Sequence, residues 1–277
     1  MPGEDAIFEG AQFVAFHTRF FGCATDRPAR SLCRRTCDGA TTPTIDTLRR
    51  LHRAHLFAVP FENLNIHLGR EIVLDEARLF NKIVRQRRGG FCYELHGLFA
   101  ALLRAIGFDV TLLSARVTRP AGGFGPEYGH MLLRVDLDGS WLADVGFGDS
   151  FIEPIRLSYN EQEQEGRWYR IEAGGDQMIL LRRRDGEDWT PQHAFTLLPQ
   201  RLGDYVDMCR YHQTSPDSHF TQKRVCSRAT PDGRISLSEG RLIVNRHGER
   251  KEMPLASEAE WREALRENFG IDLATPD

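Results

Sequence analysis

Residues 92–117 read CYELHGLFAALLRAIGFDVTLLSARV, and the hydrophobic period changes inside this run. Up to Ile106 the apolar residues Leu95, Leu98, Phe99, Leu102, Leu103 and Ile106 recur at helical spacing and make a continuous stripe. Gly107 stands where a left-handed C-terminal cap is needed. From Val110 the period is two. A buried helix therefore hands over to a β-sheet within a few residues.

Before this point the chain reads helical. Ala11–Phe21 is amphipathic. Asp46 is expected to cap TLRRLHRAHLFAV (47–59), which ends before Pro60. Asp75 opens EARLFNKIVRQR (76–87), and the pair Gly89–Gly90 is expected to stop it. After it come six candidate strands: VTLLSARV (110–117), HMLLRVDL (130–137), SWLADVGF (140–147), PIRLSY (154–159), RWYRIEA (167–173) and QMILLRRR (177–184). Turn residues at 120–125, 138–139, 174–176 and 185–186 separate them, which predicts a small barrel or curled antiparallel sheet. The end is mixed: RISL (234–237) and RLIVNR (241–246) read as strands, and Ser257 with Glu260 predicts a capping box ahead of EAEWREALRENF (258–269), stopped by Gly270. Helices, then strands, then a mixed end predict an α+β fold: a helical bundle over 1–108, a β-barrel over 109–200 and an α/β lid over 201–277.

With 41% hydrophobic and 27% charged residues in 277, the chain can bury a core without disulfides or metal. Nothing in a net charge of −3 suggests the broad basic face that nucleic acid requires, and the short arginine runs at 85–88 and 182–184 read as solvated surface. No stretch is long and apolar enough to span a membrane, and the acidic start MPGEDAIFEG is no signal peptide. A cytoplasmic setting is expected, with the six cysteines as thiols.

Cys92 follows the glycine pair at the start of the buried helix. Unpartnered N–H groups there favour a thiolate, so its pKa is expected to fall. The alternative is a small buried hydrophobe. A reactive cysteine needs a base, and the base an orienting group. His96, one turn along the same helix, competes for that role, whereas His52 and His55 read as satisfied polar groups. His130 opens one strand and Asp144 lies in the next, which supplies base and orienter from one hairpin. For the two to share a face, the sum of paired residue numbers must be even. A tight two-residue turn would make it 277, so a three-residue or bulged connection is predicted, with Gly139 in the left-handed position.

These residues carry a family pattern. RRGGFCYELHGLFAALLRAIGF (87–108) resembles the segment around the active-site cysteine of arylamine N-acetyltransferases. LRRLHRAHLFAVPFENLNIHLGREIVLD (48–75), GHMLLRVDLDGSWLADVGFGDS (129–150), YHQTSPDSHF (211–220) and TPDGRISL (230–237) are similar to further motifs of that family, in the same order. The resemblance implies ping-pong acetyl transfer from acetyl-CoA, a co-substrate and not a tightly bound cofactor, to an arylamine, arylhydrazine or N-hydroxyarylamine, with Cys92, His130 and Asp144 as the triad. By the same resemblance Gly122, Gly123 and Gly125 form the loop near the coenzyme A pyrophosphate, or else a plain strand-to-strand loop. Thr214, Ser215 and Ser218 match lid contacts to the cofactor, although such residues also bond their own backbone. Phe91, Phe124 and Phe147 line the acceptor pocket or pack the core. Arg88 and Glu94 are expected to be structural.

Two departures stand out. The family usually has Asn at the position of His96. The stretch 22–43 is longer than the family's loop and carries Cys23, Cys33 and Cys37; a flexible insertion, a loop that contacts a partner or edges the acceptor pocket, and a zinc knuckle with His17 are its readings. Two other functions fit the same triad: a macrolactam-forming amide synthase acting on a carrier-bound acyl chain, and a Cys-His-Asp thioester hydrolase.

Overall fold

The computed structural model describes residues 42–273. The amphipathic stretch 11–21, the insertion up to residue 41, and with them His17, Cys23, Cys33 and Cys37, lie outside the described residues.

Helix α1 spans Ile45–Ala58 and turns Leu48, Leu51, His52 and His55 inward. Its cap is Thr44, whose hydroxyl accepts the Thr47 N–H at 3.2 Å. Asp46, expected as the cap, sits in the first turn instead, where a negative charge still complements the helix dipole. A two-residue strand β1 (Phe61–Glu62) and a short helix α2 (Leu64–His67) follow. Helix α3 (Glu76–Phe80) is capped by Asp75, as expected, and runs on as a π-helical turn over Asn81–Arg85. It stops at Gln86 with Arg87 left-handed (φ 54°), ahead of the glycine pair expected to end it. Gly89 has another use: a Cβ there would lie 1.9 Å from the Pro60 carbonyl oxygen, so the approach to Cys92 passes too close to that backbone for any side chain.

Helix α4 spans Cys92–Ile106, with Gly107 left-handed (φ 101°) at its end. Thirteen of its fifteen residues are buried, which makes it an inner helix apolar on nearly all sides. Each large apolar side chain hidden this way contributes about 1.5–3 kcal/mol. Its core is shared with α1, α3 and the sheet face that carries Val110, Leu112, Met131, Leu133 and Val135, while Leu113, Ala115, Leu132 and Leu142 of the opposite face belong to a separate core.

The barrel is an eight-stranded antiparallel sheet in the order β5-β4-β3-β2-β9-β8-β7-β6. The strands are β2 (Asp109–Val117), β3 (His130–Leu137), β4 (Gly139–Ala143), β5 (Ile155–Arg156), β6 (Gln162–Gln164), β7 (Arg167–Gly174), β8 (Gln177–Arg184) and β9 (Thr190–Phe195). Two of these, β6 and β9, go beyond the six expected. Between β5 and β6 the seam is closed by side chains. Gln162 accepts the Arg156 N–H at 2.6 Å and donates to its carbonyl at 2.9 Å. Gln164 accepts the Ile152 and Glu153 N–H groups and donates to the Glu153 carbonyl. Two primary amides thus do the work of a backbone ladder.

The β3–β4 register pairs Leu133 with Ala143 and Leu137 with Gly139, an even sum, and Gly139 is left-handed (φ 90°). Both features match the parity argument. Strand β4, however, ends at Ala143, so Asp144 stands just beyond the strand that was expected to carry it.

After a 3₁₀ turn (Leu202–Tyr205), helices α5 (Val206–Thr214) and α6 (His219–Gln222) lead into strands β10 (Val225–Thr230), β11 (Gly233–Ser238), β12 (Arg241–Arg246) and β13 (Glu249–Pro254). β1 joins their edge by pairing with β10. Helix α7 (Glu258–Phe269) packs Trp261, Ala264, Leu265 and Phe269 on this sheet, with Ser257 as cap and Gly270 left-handed at the end. No described helix is long and apolar enough to cross a membrane.

Candidate active site

Four histidines from three parts of the fold surround Asp144, which is buried along with all of them. His130, first residue of β3, donates from Nε2 to Asp144 Oδ2 at 3.2 Å, leaving Nδ1 as its open nitrogen. His96 on α4 brings Nε2 to 3.2 Å from Oδ1. His193 on β9 stacks on His130, ring centroids 4.9 Å apart at 18°, with Nε2 3.6 Å from Oδ2. His52 on α1 accepts the Asp144 backbone N–H at 3.1 Å.

The competition between His96 and His130 is decided by hydrogen bonds. His96 Nδ1 faces the Cys92 carbonyl at 2.9 Å, which can only accept, so this nitrogen holds the proton. Its Nε2 accepts the Val145 N–H at 3.1 Å. Both nitrogens are occupied, so His96 is unsuited to take a proton from the thiol. The next N–H, of Gly146, bonds Asp144 Oδ1 at 3.1 Å. Successive backbone donors thus seat the carboxylate and the imidazole side by side. A Cβ on Gly146 would lie 2.7 Å from His96 Cε1 and 2.8 Å from Cys92 Cα, so only glycine lets this loop reach α4.

Cys92 is the first residue of α4 and is buried. Burial pushes its thiol well above the ordinary value, with Cys209 and Asp144 adding to the rise and the Tyr93 and Met131 N–H groups opposing it. This reverses the expectation of a lowered pKa: the helix N–H is present, but desolvation outweighs it. Met131 follows His130, so that contact also sets the sulfur against the start of β3. Burial lowers His130 to about 4, against the opposing pull of Asp144. Burial would raise Asp144, yet His130, by its charge and its hydrogen bond, holds it well below the usual carboxylate range.

Under this site lies a closed charge network. Glu94 accepts from Lys82 Nζ at 2.7 Å and from the Phe91 N–H at 3.1 Å, which caps α4. Arg88 donates to Glu62 at 2.8 Å and to Asn65 at 3.0 Å. Both residues have the structural role expected of them.

Phe147 presents its edge to His130 and His193, with centroids 5.3 and 4.2 Å apart. Phe91 is buried against Tyr93 and Phe220, whereas Phe124 pairs with Thr118 in the loop after β2. The glycine loop is less open to phosphate than expected: the Gly122 and Gly125 N–H groups are taken by the Arg119 and Val117 carbonyls, and Gly123 is left-handed with open space around it. Thr214 donates to the Arg210 carbonyl, Ser215 accepts the Asp217 N–H, and Ser218 is buried as the α6 cap against His212 Nδ1 at 3.0 Å. All three hydroxyls are engaged with the lid's own groups. The ligand atoms of His96, His130 and Asp144 lie within 4.8 Å of one another, close enough for a metal ion, but these atoms are already committed to one another and to the backbone.

His193 and His52 did not emerge as site residues from sequence. His193 is aimed inward by a bulge: Leu181 faces Pro191 but Leu180 faces His193, so Gln192 is the extra residue that turns the strand over. Only the spacing of His52 with Leu48, Leu51 and His55 on one helix face hinted at its burial.

A cysteine at a helix start, set against a histidine and aspartate from a neighbouring sheet, is the arrangement used by enzymes that pass acyl groups through a thioester. The chain belongs to the N-acetyltransferase family, whose model matches residues 44–277. It is 41% identical over 201 residues, 71% of each chain, to an arylamine N-acetyltransferase / N-hydroxyarylamine O-acetyltransferase of Salmonella typhimurium. It is 31% identical to the proansamycin X synthase of Amycolatopsis mediterranei, across 82% of this chain and 90% of that one. Among solved structures, the arylamine N-acetyltransferase of Salmonella typhimurium superposes with a TM-score of 0.84 at 32% identity, covering 97% and 95% of the two chains. That of Mycobacterium marinum in complex with CoA gives 0.81 at 29%, covering 95% and 93%.

Proposed function

We propose that this enzyme transfers acetyl from acetyl-CoA to an arylamine, arylhydrazine or N-hydroxyarylamine through a Cys92 thioester. The observation that carries the reading is His130, fixed by Asp144 through Nε2 with Nδ1 open, beside the Met131 N–H that borders the Cys92 sulfur. The relatives named for arylamine acetylation and the M. marinum CoA complex support the choice of substrates.

Cys92 Sγ attacks the thioester carbonyl carbon as His130 takes the thiol proton. A neutral base suits this step, because burial disfavours the Cys92 thiolate. The Sγ–C bond forms, the carbon–sulfur bond to coenzyme A breaks, and His130 returns the proton to the departing thiolate. The amine nitrogen then attacks the acetyl carbon and the C–Sγ bond breaks. The nitrogen's proton passes through His130 to the sulfur. Arylamines suit this step because they are unprotonated near pH 7. Asp144 holds the His130 tautomer and offsets the imidazolium charge.

Intact-protein mass after mixing with acetyl-CoA alone tests the reading. One acetyl group is expected on the wild type, none on Cys92→Ser, and discharge when an arylamine is added. No adduct on folded wild type would overturn it. The second reading, amide synthesis on a carrier-bound acyl chain, draws on the likeness to proansamycin X synthase, and adduct formation only from a carrier-bound donor would establish it.

A further inference from the structure

His193 is fully buried, and neither ring nitrogen has a hydrogen-bond partner among the described residues. Leaving such a group unpaired in a core is costly, so its placement calls for an explanation. Its Nε2 stands 3.6 Å from Asp144 Oδ2, the oxygen that takes the His130 Nε2–H at 3.2 Å. The two rings are stacked, and the Gln192 bulge is what points His193 there. On its own sheet His193 has apolar neighbours, Val117 of β2 and Leu180 of β8. The titratable groups facing the pair are Asp144 after β4, His96 and Cys92 on α4, and His52 on α1 behind the carboxylate.

Resting on the triad reading, we infer that His193 is a positioning residue: its Nε2, facing Asp144 Oδ2 beside His130 Nε2, competes with His130 for that oxygen and thereby sets the pH at which His130 can act as base. One carboxylate oxygen divided between two imidazoles stabilises either imidazolium less than it would alone. His130 therefore stays unprotonated to lower pH than an undivided partner would allow. Asp144 fixes which nitrogen is open; His193 fixes when.

The test is the rate of Cys92 acetylation by acetyl-CoA, followed by quenched-flow and intact mass across pH, in wild type, His193→Phe and His193→Gln. Phenylalanine keeps the stacked ring and removes the donor. The acid midpoint of the profile is expected to rise by about one pH unit in His193→Phe, because His130 regains the whole oxygen. Glutamine keeps an N–H for Asp144 and is expected to return the midpoint toward wild type. An unchanged midpoint in His193→Phe overturns the inference, as does an equal shift in both variants, which would make the effect one of packing. If wild type takes no acetyl group, the triad reading has failed before His193 is in question. Should both variants fail to fold, the histidine Cε1 signals of wild type decide: coupled two-step titration of His130 and His193 supports the inference, and independent single-step curves overturn it.

Discussion

His52 accepts the backbone N–H of Asp144 at 3.1 Å while its other ring nitrogen donates to the Ile152 carbonyl at 2.8 Å. Asp144 stands past the end of β4, outside any ladder, and this imidazole takes the place of the missing strand partner. Replacing His52 by Phe would keep the ring, which stacks on Phe151 at 5.8 Å, and strand both backbone groups. A loss of about 1–3 kcal/mol in stability is expected, with a fall in acetylation rate larger than that in substrate binding. Urea unfolding and single-turnover acetylation measure the two. Unimpaired chemistry in a destabilised variant would mean that Asp144 is held well enough by its other contacts.

Gly146→Ala tests how tightly the Asp144 loop must press on α4. The added methyl meets His96 and the Cys92 backbone at under 3 Å, and the strain should cost about 1–3 kcal/mol and slow acetylation. Removing the His96 ring should relieve part of that clash. Gly146→Ala/His96→Ala is therefore expected to be more stable than the sum of the single variants, by a double-mutant cycle in urea.

Stability should fall on mild acidification. His52, His130 and His212 are each lowered by burial to about 4 from an ordinary 6.5. Between those values the unfolded chain binds protons that the folded chain excludes. Stability present above pH 6.5 is thus lost as pH falls toward 4, at a slope of about 1.4 kcal/mol per unit for each histidine. Urea midpoints between about pH 7 and 5 should drop steadily, and His52→Phe should flatten the slope by about a third. A flat profile would place these rings in contact with water.

Much of this arrangement was legible in the sequence, for reasons that separate it from what was not. The period change at Gly107 and the parity of the β3–β4 hairpin are properties of pattern and counting, and both survive folding. The pattern argument fails where packing overrides it. TPQHAF has no clean alternation, since Pro191 and Gln192 occupy a bulge, so β9 and His193 were hidden. ERKEMP pairs on one side only, as the outer strand β13, and shows no apolar face. The Cys92 thiol follows the same logic: a helix start is local and readable, whereas the desolvation that outweighs it comes from elements far away in sequence.

Gln164→Ala would remove three hydrogen bonds at the β5–β6 seam, to Ile152, Glu153 and the Glu153 carbonyl. The expected loss is about 1–3 kcal/mol, with faster hydrogen exchange at the Ile152 and Glu153 amides and little change in the β7–β8 ladder. Uniform acceleration through the barrel would show instead that the seam and the ladders open together.

A wall closed in this way opens differently from the rest of its circumference. Parting any laddered pair of strands means breaking several main-chain bonds at once, whereas at Gln162 and Gln164 a change of side-chain rotamer is enough. Ile152 lies on that seam and gives its carbonyl to the same His52 ring that holds Asp144. The barrel is therefore closed on one side by two side chains, and that seam is joined through Ile152 and His52 to Asp144.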